Sequence, residues 1–159
     1  MFHRRMLVIA TAVAALAGCA TQAVPVNLST TISATPQLST LSSLVAKAGL
    51  TDTLNGAGPF TIFAPTNEAF AKVPAKTLDA LAADPAKLKS VLTYHVVPGK
   101  VMAFDVKNGN VKTVNGANLA VSKAGDFVTV EDAMVQTADI SATNGVVHII
   151  DSVLIPPAH

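Results

Sequence analysis

Two histidines set in apolar runs, His95 and His148, are the side chains here best suited to chemistry; Asp139, Asp151 and scattered serines are their candidate associates. An imidazole between a carboxylate and a nucleophile would make an acyl-transfer triad, a constellation defined by geometry rather than content. The nucleophile is not signalled: no Gly-x-Ser-x-Gly elbow occurs, and Cys19 is the single cysteine. Zinc needs three or four ligands, and no His-x-x-x-His or cysteine pair supplies them. Gly56-Ala57-Gly58 precedes Pro59 and a strand rather than a helix, so it is no phosphate loop. These patterns predict no enzyme, no cofactor and no metal. The alternative use of a buried imidazole is structural, because an unpaired buried donor or acceptor costs ~1–3 kcal/mol.

The elements that must position the histidines are readable. Residues 146–155 alternate between two faces, and both are apolar: Val147, Ile149, Val153 and Ile155 on one, Val146, His148, Ile150 and Leu154 on the other. A strand covered on both sides fits this pattern. Asn144-Gly145 turns into it and Pro156 ends it. Leu88, Val91, Leu92 and His95 fall at i, i+3, i+4 and i+7 on one face of a helix that Asp84-Pro85 opens, which predicts a buried His95. Phe60 to Ala64 reads as a second buried strand, stopped by Pro65 and followed by a helix capped by Thr66.

Around these, Thr35-Pro36 opens a helix through Leu38, Leu41, Leu44 and Val45 that Gly49 closes. Thr77 to Ala83 is another helix. After Lys100 the period becomes two, with strands expected at Val101–Phe104, Val111–Val114, Ala117–Val121, Phe127–Val130 and Met134–Thr137, and a tight hairpin at Asn115-Gly116. Helices first and strands later give an α+β fold.

The N-terminus reads as an address. Arg4-Arg5 precede an apolar run, Met6 to Ala17, too short for the ~20 residues a bilayer requires. It closes on Leu16-Ala17-Gly18-Cys19, which resembles a bacterial lipobox and implies acylation of Cys19, export, and outer-membrane or periplasmic residence. The expected organisation is a signal peptide over 1–18, a lipidated tether over 19–35 and a domain over 36–157. Removing residues 1–18 removes both arginines and leaves nine lysines against ten acids, a net charge of −1. Without arginine or a basic patch, nucleic acid is not an expected partner.

Four stretches then point to a family. Residues 58–70, from Gly58-Pro59-Phe60 through Thr66-Asn67-Glu68-Ala69-Phe70, resemble the first signature of fasciclin domains, and Asn144-Gly145-Val146-Val147-His148-Ile149-Ile150-Asp151 resembles the second. Tyr94-His95 and Asp139-Ile140 resemble the family's Tyr-His and Asp-Ile pairs, in its order and spacing. The resemblance implies a wedge of two β-sheets with helices along one side, and a cell-surface adhesion or binding role without cofactor or catalysis; the chain is expected to be a monomer. In animal members the two pairs are associated with integrin contact, which makes Tyr94, His95, Asp139 and Ile140 candidate partner-binding positions. Thr66, Asn67, Phe70, Asn144, Gly145, His148 and Asp151 are then structural signature residues. The partner would be a surface glycan or protein, with the membrane held through Cys19. The alternative is a small-ligand or lipid carrier using an apolar pocket between helices and sheet. The two signatures are expected to lie side by side, with His148 bonded near Thr66 or Asn67 and Asp151 accepting backbone N–H groups or capping a helix.

Overall fold

Strand β1 (Phe60–Pro65) and strand β7 (Gly145–Ile150) run parallel in direct register, Phe63 opposite His148, so the two signature stretches do lie together. The computed structural model describes residues 26–156; Cys19, the expected signal peptide and the first part of the expected tether lie outside them. Among the described residues seven strands follow the order β2-β1-β7-β6-β5-β4-β3. β2 (Val96–Pro98) is antiparallel to β1, and β6 (Ala133–Ala142) is antiparallel to β7. β3 (Gly109–Lys112), β4 (Asn118–Ala124) and β5 (Phe127–Val130) form a meander joined to the start of β6. The long, bulged β6 thus links two sections of sheet. The outer edges meet again where the Val114 amide donates to the Val96 carbonyl at 2.8 Å.

Each section closes a core. Helices α1 (Leu28–Ala34), α2 (Ser39–Lys47), α3 (Thr51–Leu54), α4 (Asn67–Lys72), α5 (Ala75–Ala83) and α6 (Pro85–Tyr94) lie in the first two thirds of the chain. Leu28, Ile32, Leu38, Leu41, Phe70, Leu88 and Leu92 pack with Ile62, Val147 and Ile149 in the helix-side core. Phe63, Tyr94, Leu119, Val121, Val130 and Ile150 form the second core. Alternate residues of β7 serve both, which is why its whole sequence is apolar.

Four expectations are corrected. The last part of the predicted tether is α1, capped by Asn27 and burying Leu28 and Ile32 one turn apart. Pro36 opens a 3₁₀ turn, Pro36–Leu38, and the α-helix begins at Ser39. Asn115-Gly116 lies in a connection over residues 113–117 rather than a two-residue hairpin. Finally, residues 101–104 are loop, not strand, because side chains take the backbone groups a ladder would have used.

Candidate functional site

His148, only 2% exposed, stacks on Phe63 with ring centroids 5.5 Å apart. Its Nδ1 accepts the Asp139 amide at 3.2 Å, because an N–H can only donate. The ring proton therefore sits on Nε2 and is donated to the Val101 carbonyl at 2.7 Å. The expected contact with Thr66 or Asn67 is absent, since those residues lie past the end of β1 and are satisfied locally. Thr66 caps α4 by accepting from the Ala69 amide, while Asn67 accepts from the Thr40 amide and donates to the Pro36 carbonyl.

Asp139 sits within the β6 bulge at φ +58°, a left-handed conformation that aspartate tolerates better than most residues. Its Oδ1 accepts the Ala103 amide at 2.8 Å. Thr61, fully buried in β1, accepts the Val101 amide and donates to the Gly99 carbonyl. Asn108 accepts the Lys123 amide, and Lys123 Nζ donates to the Phe104 carbonyl at 3.3 Å. Residues 99–108 thus form a loop tied along its length by side chains of both sheet sections. At its crest Phe104 is 68% exposed, and Phe127, opposite Ala124 at the tip of the β4–β5 hairpin, is 64% exposed. Thr61, Phe104 and Phe127 were not singled out from sequence; the usable signal for the phenylalanines was an aromatic beside turn residues, Asp105 and Gly125-Asp126.

Both side chains of the Tyr-His pair, expected at a partner contact, lie in the interior. Tyr94 is 0% exposed and its hydroxyl reaches Glu131 Oε1 at 2.6 Å and the Asn118 carbonyl at 3.2 Å. Burial, then the bond to Glu131, push that hydroxyl well above the usual phenol range. His95 is sealed: Nδ1–H donates to the Val91 carbonyl at 2.8 Å, and Nε2 accepts the Leu154 amide at 3.0 Å. Burial lowers its pKa to about 4 against the pull of the Val91 carbonyl. Burial also lowers that of His148, while the Val101 carbonyl and the Asp139 charge pull it up. Ile140 is half-buried opposite Val147, against the helix-side core.

The remaining signature residues hold backbone. Asn144 accepts the Leu28 amide and donates to the Leu54 and Gly56 carbonyls. Gly145 lies so close to Phe60 that a Cβ there would collide with the Phe60 carbonyl. Asp151 accepts the Met134 amide at 2.9 Å and faces Lys72, and Phe70 fills the helix-side core. The two histidines and Asp139 converge on no cleft, and among the described residues no cluster of three or more His, Cys, Asp or Glu side chains is placed to hold a metal.

The fasciclin domain family model matches residues 36–156. The chain belongs to the fasciclin domain family. This fasciclin domain is 46% identical over 121 residues to Protein sll1483 of Synechocystis sp., covering 75% of this chain and 67% of that one. It is 42% identical over 136 residues to the cell surface glycolipoprotein MPB83 of Mycobacterium bovis, covering 82% and 61% respectively. Immunogenic protein MPB70 of the same organism is also 42% identical, over 77% of this chain and 65% of its own length. The chain therefore spans about two thirds of the length of these relatives. Among solved structures, a FAS1 domain pair from the insect cell adhesion molecule fasciclin I superposes with a TM-score of 0.63 at 27% identity, over 77% of this chain and 46% of that one. The α+β fasciclin fold follows, and no helix among the described residues is long and apolar enough to cross a membrane.

Proposed function

We propose that this fasciclin domain is an exported, lipid-anchored binding or adhesion module without catalysis, displayed on the outer membrane or in the periplasm through Cys19 and recognising a surface glycan or protein. One observation carries the reading: the side chains best suited to chemistry are occupied in holding backbone. His95 binds Val91 and Leu154, His148 binds Asp139 and Val101, and Asp139 binds Ala103. A neutral imidazole with both nitrogens engaged has no lone pair for a substrate. The likeness to a cell surface glycolipoprotein and to an insect cell adhesion molecule supports the same reading.

The carrier alternative is disfavoured. The apolar space bounded by Leu44, Phe70, Leu78, Leu88 and Val153 amounts to about 10 Å³, at the lower bound for a single water.

Two experiments test the proposal. Palmitate incorporated by the wild-type chain and lost in Cys19→Ser supports the anchor; label retained in the variant rejects it. Cells displaying the chain should adhere to an immobilised glycan or matrix panel more strongly than cells displaying none, and equal adhesion across the panel rejects the binding role.

A further inference from the structure

We propose that the loop over residues 99–108 and the β4–β5 hairpin tip form a membrane-docking patch, which lays this end of the domain on the bilayer that holds its anchor. The inference rests on the lipid-anchor reading of Cys19. Its structural basis is two exposed phenylalanines at the β4–β5 end of the sheet: Lys123 reaches the Phe104 carbonyl from the covered face of β4, and Phe127 stands opposite Ala124 on the open face, so the two residues flank that end. Phe104, left outside both cores on a loop that six side-chain bonds hold in place, and Phe127, at a hairpin tip, are presented rather than merely uncovered. Aromatic rings partition readily into the interface of a bilayer.

Where the chain enters the domain favours the bilayer as occupant. The Val26 carbonyl accepts the Thr143 amide in the β6–β7 turn, the Phe60 amide donates to Asn144, and the Gly99 amide donates to Pro59. The point of entry and the start of the loop therefore share one end of the sheet. Val26 is seven residues beyond Cys19, a reach of at most ~25 Å. Phe104 is five residues beyond Gly99, at most ~18 Å along the chain. An acylated Cys19 would confine exactly this end near the lipid surface, at a high effective concentration. Lys100, Lys107 and Lys123 border the patch, with Asp105 and Asp126 beside them, so it carries a small positive excess on a mature chain of net charge −1. Such an excess favours anionic headgroups. Docked this way, the domain turns the far end of β1, and helix α4 that follows it, away from the membrane.

The chain contains no tryptophan and one cysteine, which makes a direct test available. Protein beginning at Cys19, which keeps every described residue, is coupled through that cysteine to a maleimide lipid in vesicles of phosphatidylcholine and phosphatidylglycerol. Chemical coupling separates this test from natural acylation, so a failed anchor and a failed docking patch are distinguishable. Single reporters are placed by Phe104→Trp, Phe127→Trp and, at the far end of β4, Val114→Trp. The expected result is blue-shifted emission and quenching by brominated lipid for positions 104 and 127, weakened by salt, with position 114 water-like. Water-like emission at 104 and 127, or equal quenching at all three positions, overturns the proposal.

Discussion

Strands β7 and β4 occupy the same sheet, yet β7 is buried at every position while β4 alternates between buried and exposed. The first is covered by helices on one face and by the second core on the other; the second has one covered face and one open to solvent. The seam between β1 and β7 therefore has almost no tolerance, and the β3–β5 section carries the residues the domain can display. The sharpest way to break this contrast is a pair of substitutions. Gly145→Ala drives a Cβ into the Phe60 backbone and crowds Leu28, where nothing can move without parting β1 from β7. It should cost roughly 4 kcal/mol or more in urea unfolding, whereas Phe127→Ser should stay within ~0.5 kcal/mol. Comparable losses would remove the distinction.

The same contrast explains what sequence could and could not convey. Both seam strands were legible because continuous apolar runs between turn residues have few other uses in a chain of this size. Burial of His95 followed from helical spacing, and burial of His148 from its apolar neighbours. What failed was the backbone held by side chains. Val101–Phe104 has strand-like residues, but Thr61, Asp139 and His148 capture its amides and carbonyl, and no local pattern reports a bond across more than thirty residues. Helix α1 was missed because its serines and threonines mask one pair, Leu28 and Ile32, that packs at a spacing of four. The Tyr-His and Asp-Ile pairs were visible as motifs, while their work, filling a core and fixing a loop, required the fold.

The two histidines sharpen the comparison within one residue type. His95 pins the C-terminal segment to α6 inside the protein; His148 pins a surface loop to the sheet. Both are held neutral, so acid acts on both. The folded pKa of His95, about 4, lies below its unfolded value near 6.5, so the unfolded chain takes up the proton first. Stability from this group is complete above pH 6.5 and is lost as pH falls toward 4, by about 3 kcal/mol in all. His148 shifts in the same direction. Urea midpoints at pH 7.5, 5.5 and 4.5 should fall progressively, and His95→Leu should flatten the slope while lowering the whole curve. Constant midpoints over that range would contradict the assignment of neutral, sealed rings.

Replacing His148 by alanine removes the Phe63 stack and leaves the Asp139 amide and the Val101 carbonyl without their partner, for a loss of ~2–3 kcal/mol. Amide exchange at Asp139 and Ala103 should accelerate beyond the global change, because the loop loses its central tie while Thr61 still holds one end. A purely global effect, with the loop amides following the rest of the protein, would mean that His148 supports the core rather than the loop.

Asp139 gives the smallest and most selective effect, since its two tasks are separable. Its backbone occupies φ +58°, and its carboxylate holds the Ala103 amide. Alanine fails at both and should cost ~1–2 kcal/mol. Asparagine keeps an acceptor oxygen and tolerates the left-handed region, so Asp139→Asn should change stability by less than ~0.5 kcal/mol. It also removes the nearby negative charge that raises the His148 pKa, so the acid titration of that ring, followed by NMR, should move to lower pH. Loss of stability in the asparagine variant equal to that in alanine would show that charge, not the strap to Ala103, is what this position contributes. The loop would then be held chiefly by Thr61 and His148.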